Sequence, residues 1–221
     1  MKRAGVDVPV LMCRYGTDGR LAIVLRDPDT PRSFGRRRRV ADERAGAHAR
    51  RLALAAYGAT YGAAYGAAYG AASLRARVSV SHTKGSAVAL VGSPDRMIGV
   101  DLAAIARVTE RHAGAVLSEE DWTALEAIPL PLRRAMGWAL KEAAAKATGA
   151  AQHYFPSRVR LVPDDASGLP CAQLTGVERM RFDSDWLEIG ALLCVVVRAQ
   201  ARCNASALRE CTPTLVKTRS P

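Results

Sequence analysis

Near the N-terminus, short apolar runs separated by turn residues predict two strands, Val8–Arg14 and Leu21–Leu25, around Gly16-Thr17-Asp18-Gly19. Asp27 to Gly35 is rich in Pro, Asp and Ser and reads as a loop. From Arg38 to Ala56, Ala, Leu and Arg dominate without Pro, which predicts a helix with a strongly basic face. Tyr57 to Ala72 then repeats Tyr-Gly-Ala-Ala/Thr, with tyrosines at 57, 61, 65 and 69. A period of four could stack the rings on one helix side, but each Gly costs about 1 kcal/mol relative to Ala. The expectation is therefore a flexible, tandem-duplicated linker.

Beyond the repeat the period shortens. Val78-Ser79-Val80-Ser81 alternates, Ala87–Val91 is continuously apolar, and Met97–Leu102 forms a third run. Lys84-Gly85-Ser86 and Gly92-Ser93-Pro94-Asp95 are turn sequences between them, so the block predicts an antiparallel meander. Ser118-Glu119-Glu120-Asp121 resembles a capping box opening a helix to Ala127. Pro129 and Pro131 interrupt the chain before a long Ala-rich helix, Leu132–Thr148, closed by Gly149. Strand-like runs follow at Arg158–Val162 and Ile189–Val197, and the tail from Asn204 looks loose.

Composition narrows the class. The 221 residues are 49% hydrophobic and 24% charged, in the range of a soluble globular protein. No run is apolar for long enough to span a bilayer, and Asp7, Arg14 and Asp18 break any secretory-type stretch, so a cytoplasmic protein is expected. Five cysteines without a CxxC pair argue against a disulfide framework and a zinc site. Much of the net charge of +11 sits in the first half, at Arg36–Arg39 and Arg44–Arg51, and a basic surface attracts anionic partners. Charge alone does not choose between nucleic acid, lipid, phosphorylated small molecules and acidic proteins.

Three segments carry candidate chemistry: Val80-Ser81-His82-Thr83, Gly99-Val100-Asp101-Leu102, and Trp138-Ala-Leu-Lys141-Glu142-Ala-Ala-Ala-Lys146. Taken singly, His82 could be a plain strand-end hydrogen-bonding residue and Asp101 a turn or cap residue. The Lys-Glu helix could likewise be a solvated face whose pairs contribute a few tenths of a kcal/mol. Together they say more. Trp138, Glu142 and Lys146 recur every four residues on one helix face, and a Trp there implies partial burial. Asp101 in an apolar strand would need a cation beside it. A hard divalent ion meets that need, since Mg²⁺ takes one or two carboxylates plus water and phosphate oxygens. Lys141, Lys146 and His82 would then neutralise the rest of a pyrophosphate.

These three segments, in this order, resemble the signatures of the 4′-phosphopantetheinyl transferase superfamily over about residues 78–149. Length and the basic helix preceding the Ser-His strand resemble its surfactin type. The resemblance implies an α+β fold of two similar lobes related by a pseudo-twofold, each a small antiparallel sheet packed with a long helix. The lobes would be residues 1–77 and 78–203, with 204–221 a loose tail, in a monomer. It implies transfer of 4′-phosphopantetheine from coenzyme A to a serine of an apo acyl or peptidyl carrier protein, releasing 3′,5′-ADP. Asp101 and Glu142 would bind Mg²⁺, with Mn²⁺ as an alternative. Glu142 would help deprotonate the serine and Lys146 would stabilise charge on the phosphoryl group. Ser81, His82, Thr83, Lys141 and Lys146 would contact coenzyme A, with Arg39, Arg44 or Arg50 on its 3′-phosphate. Carrier proteins of this kind are acidic, which suits the positive charge.

The chain departs from the surfactin-type pattern at two places. Ala103 stands where many members have a second carboxylate two residues after the Asp. The tyrosine repeat replaces a Gly-x-Pro segment near the adenine site. An inactive coenzyme A-binding paralogue is therefore one alternative. A basic nucleic-acid-binding protein is another, although aromatics are only 5% and no nucleic-acid-binding motif is present, so no nucleic-acid or membrane partner is expected.

Overall fold

A computed structural model describes residues 10–15, 19–25, 36–69, 76–94, 96–149, 156–163, 170–175, 180–199 and 214–215. The predicted turn at 16–18, the loop at 27–35 and most of the tail lie outside them. The chain is α+β and divides into two units, Met1–Ser93 with Ala207–Pro221, and Pro94–Ser206. Each has a five-stranded antiparallel sheet packed with a long helix.

In the first unit, β1 (Val10–Tyr15) and β2 (Gly19–Val24) pair antiparallel, followed by α1 (Arg36–Tyr69), β3 (Arg77–Thr83) and β4 (Ser86–Gly92). The sheet order is β10-β1-β2-β4-β3, with β10 formed by Thr214–Leu215. Thus part of the segment expected to be a loose tail is a strand, with Leu215 opposite Leu11. α1 covers the sheet through Ala49, Ala53 and Tyr57, which are buried with Ala22, Val24, Ala87, Ala89 and Val91.

The tyrosine repeat is helix rather than linker from Tyr57 to Tyr69. Helix nucleation is the costly step, and the preceding residues of α1 have already met it, so the repeat needs only to propagate. Its alanines favour propagation, and Tyr57 is anchored at 2% exposure. The unit boundary also differs from the expected one after residue 77. β3 and β4 stay with the first unit because β2 pairs with β4, Ala22 opposite Ala89.

That pairing breaks the expected meander as well. One edge of β4 is taken by β2 and the other by β3, so β5 (Ile98–Ala104) joins a second sheet, of order β5-β9-β8-β7-β6. After β5 come α2 (Glu110–Gly114), α3 (Glu119–Ala124) and α4 (Leu132–Ala147). The strands β6 (Val159–Pro163), β7 (Pro170–Leu174), β8 (Arg181–Ile189) and β9 (Leu192–Ala199) complete the unit. The predicted run Ile189–Val197 straddles a turn at Gly190, whose φ of +57° ends β8. β7 and most of β8 were not anticipated.

α4 lies on β5 through small residues. Ala135, Ala139, Ala143 and Ala147 are buried, and an added Cβ at Gly99 would stand 1.9 Å from the Ala143 carbonyl oxygen. The same core includes Ala103, Leu193, Val195, Val197, Leu161 and Phe182. Among the described residues no helix is long and apolar enough to cross a membrane.

Candidate functional site

Side chains alternate along β5, so Gly99, Asp101 and Ala103 share the face that meets α4. Opposite them stand Val197, Val195 and Leu193 of β9, all in the apolar core. Asp101 is thereby carried into that core at 6% exposure. Its compensation is a side chain of the chain itself: Lys146 Nζ donates to Asp101 Oδ1 at 2.6 Å.

Trp138, Glu142 and Lys146 are all half-buried, as a stripe at the margin of the helix–sheet contact should be. Trp138 packs on the core and meets His112 edge to face, with ring centroids 6.2 Å apart. Burial pushes the Glu142 carboxyl above the ordinary range, the Asp101 charge adds to the rise, and Lys146 opposes it. The strand acid and the helix acid therefore feel one another, with one ammonium acting on both. Two carboxylates in mutual repulsion, with the Lys146 ammonium beside them, are a donor set that could hold Mg²⁺, which completes its shell with water and phosphate oxygens. Among the described residues no group of three or more His, Cys, Asp or Glu side chains could hold a metal. Ala103, buried on the Asp101 face, offers no third carboxylate there.

Lys141 is elsewhere, contrary to the sequence expectation. It is 2% exposed, ion-paired to Asp121 Oδ2 at 2.5 Å and donates to the Val116 carbonyl at 2.8 Å. An ammonium so enclosed has its partners already and is not offered to a phosphate. Asp121 is the residue that sequence reasoning took only for a cap. It does cap α3, accepting from Ser118 N, but it also serves a buried lysine. A lysine set among Ala139, Leu140, Ala143 and Ala144 was the available signal, since such a position requires a carboxylate.

In the first unit the Ser81-His82-Thr83 triplet divides between two faces. His82 shares the face of Val78 and Val80, which pack against the α1 core, while Ser81 is buried on the other face. The triplet therefore does not present three side chains to one ligand. His82 is exposed, and its Cδ2 would lie 3.7 Å from a Cβ at Gly46 of α1. The hairpin turn beside it, Lys84 and Gly85, has φ of 51° and 79°, and Asp42 of α1 accepts from the Gly85 amide.

The helix decides which arginines stand near His82. Arg39, Glu43, Gly46 and Arg50 follow an i, i+4, i+7, i+11 stripe, whereas Arg44 is about 160° around the helix from Gly46. Arg39 is ion-paired to Glu43 at 3.1 Å, and Arg50 is exposed on the same flank. Arg44 and Arg50 both line an open groove with Ala47, His48, Arg51 and Leu54, and of the two only Arg50 is also on the Gly46 side.

Curated proteins provide no match to this chain. Among solved structures, the Thermotoga maritima holo-[acyl-carrier-protein] synthase (AcpS) is similar at 19% identity and a TM-score of 0.38, over 48% of this chain and 63% of that protein. Residues 97–190, less than half of the chain, match the family model of the 4′-phosphopantetheinyl transferase superfamily, a stretch that contains Asp101, Glu142 and Lys146.

Proposed function

We propose that this chain transfers the 4′-phosphopantetheine arm of coenzyme A to a serine hydroxyl of an apo acyl or peptidyl carrier protein, as a monomer in the cytoplasm. The observation that carries the reading is the Asp101–Lys146–Glu142 cluster on a β5–α4 contact built from alanine and glycine. The superfamily match over residues 97–190 supports it, and so does the net charge of +11, which suits an acidic protein and a phosphorylated substrate.

In this reading Asp101 and Glu142 hold Mg²⁺, or Mn²⁺ in its place, and the ion supplies charge neutralisation for the coenzyme A diphosphate. Glu142 accepts the serine proton, directly or through water, and burial raises its basicity for that task. The serine oxygen forms a bond to the phosphorus bearing pantetheine while the bridging P–O bond breaks, and the electron pair leaves on 3′,5′-ADP. Lys146, at the edge of the pair, stabilises the charge that develops on the transferring group. His82 of β3 and Arg50 of α1, both on the Gly46 side of the helix, bind phosphate of the nucleotide end.

Incubation with coenzyme A, Mg²⁺ and an apo carrier, followed by weighing the carrier, tests the proposal. A mass gain of one phosphopantetheine arm is expected. Coenzyme A binding without that gain would mark an inactive paralogue, a reading favoured by Ala103. Salt-sensitive DNA binding with neither would turn attention to the exposed arginines of α1.

A further inference from the structure

We infer that the buried Lys141–Asp121 ion pair is a positioning device: it sets the roll of α4, and so holds Glu142 against Asp101. The inference rests on the metal-site reading above. Lys141 Nζ reaches Asp121 Oδ2 at 2.5 Å and the Val116 carbonyl at 2.8 Å. Asp121 Oδ2 accepts from Ser118 N at 2.8 Å, and Oδ1 accepts from Leu161 N at 2.7 Å. One pair thus joins α4, α3, the 116–118 turn and β6.

Stability alone does not explain it. Replacing a buried ion pair by apolar residues of similar volume is often neutral or stabilising, because the pair must recover the desolvation of two charges. Direction is what the pair supplies. The surface by which α4 meets β5 is built from Ala139, Ala143, Ala147, Gly99 and Ala103, which have little relief to interlock. A roll of about 20° on that smooth contact would move a side-chain tip by about 2 Å, given the helix radius. Catalytic geometry tolerates roughly 0.5 Å. Hydrogen bonds of fixed length from a side chain adjoining Glu142 remove that freedom. Leu117 and Leu125 meanwhile seat against Gly137, one turn earlier, and hold α4 in the core whether or not the pair is present.

The test uses the full chain. K141M alone leaves the Asp121 charge without its ammonium and is expected to unfold, so the informative variant is D121N/K141M, which removes both charges and keeps a side-chain oxygen to accept from the Leu161 amide. It should melt within a few degrees of the wild type. Its Mn²⁺ affinity, read by electron paramagnetic resonance, should be weaker by about tenfold or more, and its kcat should fall with little change in the KM for coenzyme A. A folded double variant with wild-type Mn²⁺ affinity would overturn the inference and leave the metal reading intact. Wild-type protein whose Mn²⁺ binding is absent, or survives D101N, would remove the metal reading and the inference with it. A second measurement needs no substitution. If the pair is coupled to the site, Mg²⁺ and coenzyme A together slow hydrogen exchange at the Ser118 and Leu161 amides more than at Phe182, which is buried in β8 away from Asp101. Equal slowing at all three would also refute the positioning role.

Discussion

Lys146 donates to Asp101 across the β5–α4 contact at 2.6 Å, and the two side chains differ in exposure, 20% for the lysine and 8% for the aspartate. The acid is thus the more committed partner. Removing the lysine takes the ammonium from a buried carboxylate, whereas removing the acid leaves an ammonium that can turn to water. The relationship is therefore asymmetric in stability although symmetric in charge.

Lys146→Ala is expected to destabilise the metal-free chain by on the order of 2 kcal/mol, and Asp101→Ala by clearly less. Mg²⁺ should restore more stability to the lysine variant than to the wild type, because the ion can take over compensation of Asp101. Chemical denaturation with and without Mg²⁺ reads both effects. An equal Mg²⁺ response in the two proteins would count against Asp101 as a ligand.

Asp101→Ala and Glu142→Ala should each reduce transfer below detection while circular dichroism stays close to that of the wild type. Carrier mass after a long incubation is the measurement. Near-normal transfer in either variant would remove that residue from the reacting centre.

Glu142 and Asp185 both titrate above the ordinary carboxylate range, Glu142 by burial and the Asp101 charge, Asp185 to about 6 by burial, with Arg198 opposing and Asp183 adding. In each case the folded chain binds the proton more tightly than the unfolded chain does. The stability linked to that proton is fully present below the ordinary range and is lost as pH rises through the folded value. Without metal, stability should therefore decline from about pH 4 to above 6. E142Q and D185N should each flatten part of that decline. A profile that rises over this interval, or that neither substitution alters, would contradict both assignments.

The arginines of α1 can be separated by ligand. Arg50→Ala should weaken coenzyme A several-fold more than dephospho-coenzyme A, since Arg50 shares the Gly46 flank with His82. Arg44→Ala, about 160° away, should not discriminate. Isothermal titration with both nucleotides decides it, and selective loss in the Arg44 variant would reverse the assignment.

Gly99→Ala is expected to be severe for so small a change. The added carbon would meet backbone, 1.9 Å from the Ala143 oxygen, so α4 must move away from β5. Overpacking of this kind costs about 1–3 kcal/mol, and the displacement falls on the segment that carries Glu142. Transfer should drop even at temperatures where the variant is fully folded. Wild-type activity with an unchanged melt would mean that the two backbones are not in such close contact.

The parts of this architecture that could be read from the chain are those decided locally. The Ser118 capping box, the helix after Pro131 and the β5 run around Asp101 each depend on residues within a few positions of one another, and each is present. The four-residue spacing of Trp138, Glu142 and Lys146 likewise identified a half-buried face before its partner was known. β8 was harder to see, because of its residues only Phe182 is fully buried and its polar positions mask the alternation.

By itself the chain of residues determined that an acid sits in an apolar strand and that a second acid and a lysine share one helix face, since periodicity is a local property. Only the tertiary structure decided that β5 leaves its neighbours for another sheet, that Lys141 turns inward to Asp121, and that Lys146 rather than Lys141 meets Asp101. Those outcomes depend on which strand edge is open and on which way an α-helix rolls on a smooth alanine surface. Such choices are made by contacts between segments far apart in sequence, where local pattern carries no information.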